Sequence, residues 1–157
     1  MKPKLYLETS VVSYLTARPS HDLIRAAHQQ ITRDWWEARF EFDLYVSQFV
    51  IDEAKAGDPE AAARRLSALR EVALLDVTDD ARFLTHEILR LGGMPAKAHV
   101  DAAHVAVAAV HGLDLLLTWN CTHIANATMR GRVEAICRSA GFDPPVICTP
   151  TELREEK

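Results

Sequence analysis

Short apolar runs alternate with longer segments of helical periodicity along the whole chain. The apolar runs have the length of β-strands, and the longer segments carry apolar residues at spacings of three and four, as amphipathic helices do. The predicted strands are residues 4–8, 42–47 (FDLYVS), 72–77 (VALLDV), 113–120 (LDLLLTWN) and 144–149 (PPVICT). The predicted helices are residues 9–16, 19–40, 48–57, 58–72, 79–93, 96–112 and 123–141, with a last helical turn in residues 150–156.

Particular residues mark where several of these helices start and stop. Asp58 followed by Pro59 is a strong start signal, because Asp caps the first turn and proline fits the first helical position. Gly57 and Gly112 mark ends, since glycine readily adopts the left-handed conformation that closes a helix. These signals keep the predicted helices separate rather than merged.

The segment of residues 19–40 predicts both a core face and a contact surface. Ile24, Ala27, Ile31 and Trp35 fall on one helical face, which we expect to pack against the core. Trp36 directly follows Trp35, and adjacent helical residues do not share a face. We therefore expect Trp35 in the core and Trp36 near the interface of a homodimer. The alternative is that Trp36 packs under the loop before the second strand.

The alternation of strands and helices predicts an α/β fold with a central, mostly parallel sheet of five strands. Parallel neighbours need a crossover, and helical crossovers cover both faces of the sheet. The runs LYL, VALLDV and LDLLL are continuously apolar, as expected for strands buried on both faces. No repeat or linker interrupts residues 1–157, so we expect a single domain.

Composition excludes several classes of protein. The chain of 157 residues is 48% hydrophobic and 25% charged, which is ordinary for a globular domain. Its net charge of −4 provides no overall attraction to nucleic acid, so binding of RNA would need a local basic patch. The three cysteines lack CxxC spacing, which argues against a disulfide framework. No apolar run reaches membrane-spanning length and no signal peptide is evident, so we expect a cytoplasmic protein.

Metal-ligand types of side chain follow two of the predicted strands. Glu8 ends the first strand, and Asn120 ends the fourth. In parallel α/β sheets, ligands bind beyond the carboxyl ends of the strands, where the strand order reverses. If these two strands are neighbours, Glu8 and Asn120 lie at that place. Taken singly, Glu8 also fits an ion pair with a lysine, and Asn120 also fits a helix cap.

Two further acids lie on predicted helices. Asp101 is surrounded by alanine and valine, and a carboxylate in such a setting is costly unless it is paired, hydrogen-bonded or bound to a metal. Glu53 follows Phe49 by one helical turn, although Asp52 is an equally good candidate for the inward position. Several carboxylates in one crevice repel each other, and Mg²⁺ or Mn²⁺ prefers oxygen ligands of this kind.

A zinc site is a rival interpretation. His99, His104, Cys121 and His123 supply zinc-ligand types of side chain. Their spacing matches no common zinc motif, and His99 and His104 do not share a helix face well. We therefore favour the acidic site over a zinc site.

Four segments resemble a known family in order and spacing. They are LYLETSVVSYL, VIDEAKAGDPEAA, HVDAAHVAVAAVHGLDLLLTWNCTHIAN and VICTPTEL. Together they resemble a PIN domain, in particular the toxin nucleases of bacterial toxin–antitoxin pairs and their uncharacterised relatives. The most specific element is the third: an Asp near the start of a helix of small residues, a Gly-containing turn, an apolar strand, and then Thr-Trp-Asn.

The resemblance implies a three-layer α/β/α fold with the first and fourth strands side by side. It implies an acidic metal site of Glu8, Glu53, Asp101 and Asn120, which the family uses in endoribonucleases that depend on Mg²⁺ or Mn²⁺. The family usually has Asp where this chain has Glu8, and often where it has Asn120. An antitoxin-like partner and a homodimer are also implied. The alternative function is a catalytically weakened PIN-fold module that binds RNA or protein.

Hydroxyl and basic side chains around the predicted site have supporting roles. Thr9, Ser10 and Thr118 are near its acids in sequence, so their hydroxyls either hydrogen-bond a ligating carboxylate or cap a helix. RNA needs a cationic path to such a site. Lys97, one turn before Asp101, and Arg130 are our candidates for phosphate contact.

Overall fold

The computed structural model describes residues 1–154, in which strands and helices alternate as predicted. The strands are β1 (Lys4–Leu7), β2 (Asp43–Ser47), β3 (Ala73–Leu75), β4 (Leu115–Leu117) and β5 (Val146–Cys148). The α-helices are α1 (Thr9–Thr16), α2 (Leu23–Glu37), α3 (Gln48–Lys55), α4 (Pro59–Ala68), α5 (Asp79–Arg90), α6 (His99–Val110) and α7 (Ala127–Ser139). Short 3₁₀ turns occupy Arg39–Glu41, Ala96–Ala98 and Pro150–Leu153. The end of the last predicted turn lies outside the described residues.

All five strands are parallel and lie in the order β3-β2-β1-β4-β5. Tyr6 is opposite Leu116 and Leu7 is opposite Leu117, so the prediction that the first strand lies beside the fourth is confirmed. The chain moves outward from β1 to β3 and then crosses back to β4. The carboxyl ends of β1 and β4 therefore flank the position where parallel α/β sheets bind ligands.

The core is centred on β1, β4 and α6. Leu5, Tyr6 and Leu7 have no exposed surface, and α6 is buried at every residue from Ala102 to Ala109. Helices cover the sheet on both sides, which gives the expected three-layer α/β/α fold. None of the helices in residues 1–154 is both long and apolar enough to cross a membrane.

The third strand is less buried than its apolar sequence predicts. Leu74 is 56% exposed, and Ala73 is also exposed. The reason is its place in the sheet: β3 is the outer strand and pairs only with β2. The expectation that this run is buried on both faces is therefore wrong.

The predicted core face of α2 is also wrong in part. Ile24 is 69% exposed and Ala27 is exposed, whereas the buried residues of the helix are Gln29, Thr32 and Trp35. Gln29 is tolerated inside because its amide both accepts and donates hydrogen bonds to the backbone before the helix. The helix α2 therefore packs inward with a face that includes polar residues, because their side chains find hydrogen-bond partners there. The apolar face predicted from periodicity is partly exposed instead.

The adjacent tryptophans behave differently. Trp35 is buried in the core, as predicted. Trp36 is half-buried, and the Arg39 guanidinium lies 4.4 Å from the centre of its ring. The Arg39 side chain also donates to the Trp36 carbonyl at 2.9 Å. Trp36 thus packs against the turn before β2, and its place in a homodimer interface stays a prediction.

Candidate metal centre

Glu8 follows β1 and is held by three hydrogen bonds. It is only 4% exposed. The Ser10 backbone N–H donates to Oε2 at 3.0 Å, which caps α1. The hydroxyls of Ser10 and Thr118 each donate to Oε1 at 2.5 Å. The carboxylate is therefore fixed in orientation by the protein itself, as a preorganised ligand should be.

The Thr-Trp-Asn segment connects the end of β4 to Glu8. The Thr118 hydroxyl donates to Glu8 and accepts the Asn120 backbone N–H at 2.9 Å. The Trp119 backbone N–H donates to Ser10 Oγ at 2.8 Å. The Asn120 Oδ1 atom accepts the backbone N–H groups two and three residues further on. These contacts therefore position either Glu8 or the turn that follows.

The Trp119 side chain joins the same strand end to α2. Its indole N–H donates to Thr32 Oγ1 at 2.8 Å. Its ring stacks on His28 with the centroids 4.1 Å apart, and the Tyr14 ring packs edge-on against both. These contacts explain why the polar Thr32 faces inward on α2.

Glu53 brings a second carboxylate from α3. Its Oε1 atom accepts from the Thr9 hydroxyl at 2.7 Å and lies 2.6 Å from His104 Nε2. Burial alone raises the pKa of Glu53, but the hydrogen bond and charge of His104 and the hydrogen bond of Thr9 outweigh it and lower the pKa. Asp52 is exposed and accepts from Gln48 on the helix surface. Glu53 is therefore the inward acid of this pair.

A buried hydrogen-bonded chain supports Glu53 from beneath. His104 has no exposed surface, and its Nδ1 atom lies 2.7 Å from the Tyr6 hydroxyl. The Tyr6 hydroxyl in turn lies 2.8 Å from Ser47 Oγ. Burial raises the pKa of Tyr6, so its hydroxyl keeps its proton. The chain Ser47–Tyr6–His104–Glu53 therefore connects β2, β1, α6 and α3 through polar atoms in the core.

Glu8, Glu53 and His104 form a group suited to a metal ion. Each offers a ligand atom, and these atoms all lie within 4.8 Å of one another. Within residues 1–154 it is the single such group of His, Cys, Asp and Glu side chains. Two carboxylates and an imidazole are ordinary ligands for a divalent cation. The donor set therefore fits the metal ion that the sequence predicts.

Asp101 and Asn120 lie next to this group with other partners. The Asp101 Oδ2 atom is 2.8 Å from His123 Nδ1, and both side chains are mostly buried. Asp101 lies one helical turn before His104 on α6. Asn120 caps the turn that carries His123. Of the four predicted site residues, the structure brings Glu8 and Glu53 together, with Asp101 paired to His123 and Asn120 holding that turn.

The side chains of the alternative zinc site do not assemble. Cys121 is exposed and His104 is fully buried against Glu53, while His123 contacts Asp101. All three cysteines are free. The structure thus divides these residues between different partners.

The two candidate phosphate-binding residues lie in different settings. Lys97 is exposed in the turn just before α6. Arg130 lies on α7, and its guanidinium reaches the Ile147 carbonyl at 3.4 Å. Lys97 thus remains available for an anionic ligand, whereas one N–H group of Arg130 donates to the middle residue of β5.

The sequence predicted His104 only as a zinc ligand, and its contact with Glu53 was not predicted. A histidine inside a helix of small apolar residues is itself a signal. His104 follows Asp101 by three residues, a spacing that places both on one helix face. The partners Tyr6 and Ser47 carry no such signal, because each lies on a strand and only the fold brings their hydroxyls together.

Comparisons with known proteins agree with this architecture. No protein-family model matches the chain, and no curated protein matches its sequence. Among solved structures, VapBC2 from Rickettsia felis bound to a promoter DNA fragment is 15% identical, with a TM-score of 0.60 over 92% of this chain and 97% of that chain. VapC20 from Mycobacterium tuberculosis, a toxin that cleaves the sarcin–ricin loop, is 18% identical, with a TM-score of 0.60 over 90% and 100%.

A third similar structure is FitAB bound to a DNA fragment. It is 13% identical, with a TM-score of 0.58 over 98% of this chain and 99% of that chain. Likenesses at these identities establish the fold, and all three span nearly the whole of both chains. The resemblance noted from the sequence is thereby confirmed as one of fold, and this chain is a PIN-fold protein.

Proposed function

We propose that this protein is a Mg²⁺- or Mn²⁺-dependent endoribonuclease and the toxin of a toxin–antitoxin pair. The observation that carries the proposal is the meeting of two carboxylates, Glu8 and Glu53, beyond the carboxyl ends of the central strands. A bound divalent ion supplies positive charge that stabilises a phosphate in the transition state and activates water for hydrolysis. The PIN fold and the RNA-cleaving activity named for VapC20 support this choice of substrate.

The residues of this chain divide the work of holding the cation. Glu8 and Glu53 bind it in our proposal, and Asp101 completes the acidic set from α6. Asn120 contributes by capping the turn that keeps His123 against Asp101. Because Glu8 is already fixed by three donors, little reorganisation is needed when the ion and the substrate bind.

The hydroxyls near the site act through the carboxylates. Thr9 donates to Glu53, and Ser10 and Thr118 donate to Glu8. Partners of this kind orient ligands and tune their affinity for the metal. Lys97 and Arg130 are the proposed phosphate contacts. Lys97 is exposed and lies one turn before Asp101. Their charge would attract RNA to a chain whose net charge is −4.

The proposed partners follow from the same comparisons. VapC20 is named as a toxin, and VapBC2 and FitAB were each solved bound to DNA. We accordingly propose an antitoxin-like protein partner and a homodimer, with Trp36 near the dimer interface. We also propose a cytoplasmic location, where free cysteines stay reduced.

A second candidate is a PIN-fold module that binds RNA or protein without cleaving it. Two contacts favour this candidate: Asp101 is paired with His123, and Asn120 is engaged with the backbone. These contacts leave Glu8 and Glu53 as the acids that converge. Incubation of the protein with mixed-sequence RNA in Mg²⁺, Mn²⁺ or EDTA separates the two functions. Cleavage that needs the metal supports the nuclease, and RNA binding without cleavage in any condition supports the binding module.

A further inference from the structure

The candidate metal group contains one imidazole, that of His104, beside the carboxylates of Glu8 and Glu53. We infer that His104 is itself a ligand of the bound cation, which gives the site a mixed nitrogen and oxygen ligand set and a preference for Mn²⁺ over Mg²⁺. This inference rests on the proposed function only in requiring that the site binds a divalent cation. It adds a residue outside the four acidic and amide positions that the PIN resemblance implies.

The Nε2 atom of His104 lies close to the ligand atoms of both carboxylates. It lies 2.6 Å from Glu53 Oε1, and the ligand atoms of Glu8, Glu53 and His104 all lie within 4.8 Å of each other. Ligands of one cation lie about this close, since each is roughly 2.0–2.2 Å from the ion. A cation bound by Glu8 and Glu53 is therefore within reach of His104 after a small adjustment. It takes the place of the proton that Nε2 donates to Glu53 in the metal-free protein, and that proton is released to solvent.

The other ring nitrogen carries the second step. A metal-ligating histidine almost always donates its second N–H to a fixed partner, which sets the ring orientation. The Tyr6 hydroxyl lies 2.7 Å from His104 Nδ1 and can accept that N–H, because its own O–H can turn to Ser47 Oγ at 2.8 Å. Tyr6 and Ser47 are both buried, so this support is built into the core.

The imidazole of His104 is completely buried. His104 has no exposed surface, and the other residues of α6 from Ala102 to Ala109 are all buried alanine or valine. Both nitrogens of a ring in such a place need partners, and Glu53 and Tyr6 supply them. Imidazole nitrogen suits first-row transition ions, whereas Mg²⁺ prefers oxygen ligands and retained water. The ligand set thus selects among divalent ions.

Pulsed electron paramagnetic resonance of bound Mn²⁺ tests the inference without any assay of activity. The wild-type chain loaded with Mn²⁺ should show coupling of the ion to ¹⁴N. Labelling histidine alone with ¹⁵N should convert that coupling to the ¹⁵N pattern, which assigns it to an imidazole rather than the backbone. The coupling should persist in His123→Asn and disappear in His104→Gln.

Titrations by calorimetry give the matching affinities. His104→Gln should weaken Mn²⁺ binding on the order of 100-fold, because loss of even an outer partner of a ligand costs about 10–100-fold, and should weaken Mg²⁺ binding far less. Tyr6→Phe should weaken Mn²⁺ binding on the order of tenfold. An equal loss of affinity for both ions would overturn the predicted selectivity.

Several results would overturn the inference. These are Mn²⁺ bound to the wild type without ¹⁴N coupling, coupling that disappears in His123→Asn instead, and no binding of Mn²⁺ at all. The labelled wild type and His123→Asn can reject the inference even if His104→Gln does not fold. Metal-dependent RNA cleavage without nitrogen coupling would leave the proposed function standing and reject His104 as a ligand.

Discussion

The Thr118 hydroxyl donates a 2.5 Å hydrogen bond to Glu8 Oε1 across 110 residues of sequence. This contact links the two polar clusters that end the central strands β1 and β4. It also gives the Thr-Trp-Asn segment a physical role, because its first residue holds the carboxylate and its second holds Ser10. The carboxyl ends of the two strands thus form one hydrogen-bonded unit.

Removal of the Thr118 hydroxyl should destabilise this unit. In Thr118→Val, one oxygen of the buried Glu8 carboxylate loses a donor and the Asn120 N–H loses its acceptor. A buried group left without its partner costs about 1–3 kcal/mol, and urea unfolding in EDTA measures that loss. Thr122→Val, at an exposed position in the next turn, is the matched control. Equal stability of both variants and the wild type would refute the role of this contact.

Glu53 should make stability depend on pH in a predictable direction. Its folded-state pKa lies below its usual value, so folding favours the ionised carboxylate. That contribution is fully present above the unfolded pKa of about 4.3, and it is lost as the pH falls from there through the lower folded value. The difference in unfolding free energy between the wild type and Glu53→Gln, measured without metal, should shrink over that range. A difference that grows on acidification would contradict the direction of this shift.

Divalent cations should stabilise the fold if the site binds them. An ion at about 100 times its dissociation constant adds about 2.7 kcal/mol to the free energy of unfolding. The melting temperature should therefore be higher in Mg²⁺ or Mn²⁺ than in EDTA. Asp101→Asn should reduce this increase if the Asp101 carboxylate joins the site. Identical melts in all three conditions would indicate that no cation binds.

The length of Glu8 should matter for activity. Its carboxylate is held at its present reach by Ser10 and Thr118, so Glu8→Asp withdraws it from these donors by about one methylene. A displacement of about 1 Å can cost on the order of a hundredfold in rate, and Glu8→Gln should lower cleavage at least about tenfold by removing the charge. Higher activity of Glu8→Asp would show instead that Glu8 is a drifted position in a weakened nuclease.

Trp36 provides a prediction about assembly. We expect a homodimer, with the half-buried Trp36 and its neighbour Arg39 near the contact between copies. Light scattering across a range of concentrations measures the mass directly. A monomer at high micromolar concentration would contradict the dimer.

The sequence predicted those parts of the fold whose signals are local. The continuous apolar runs identified β1 and β4, and Asp58 with Pro59 marked the start of α4, where Asp58 caps the helix. The inward face of α2 was not predictable in this way. Thr32 faces the interior because the Trp119 indole donates to it, and that partner is remote in sequence.

The site shows the same division between local and remote information. Glu8 was identifiable because a strand end is a place for ligands. The choice between Asp52 and Glu53 could not be made from the sequence, since both are acids on one short helix. Only the packing of α3 against Thr9 and His104 decides it. The buried chain from His104 to Tyr6 joins residues 98 apart and depends entirely on the fold.

The central claim is that Glu8 and Glu53 form the metal site of a ribonuclease. The adjacent acids Asp52 and Glu53 offer its most direct test. Cleavage of a mixed-sequence RNA in Mn²⁺ at fixed ionic strength should be compared for the wild type, Glu53→Gln and Asp52→Asn. Both variants remove one charge from α3, but only Glu53 faces Glu8, while Asp52 lies on the surface. We predict that Glu53→Gln lowers the rate at least about tenfold and that Asp52→Asn retains it. Undiminished cleavage by Glu53→Gln, or metal-independent cleavage by the wild type, would contradict the account.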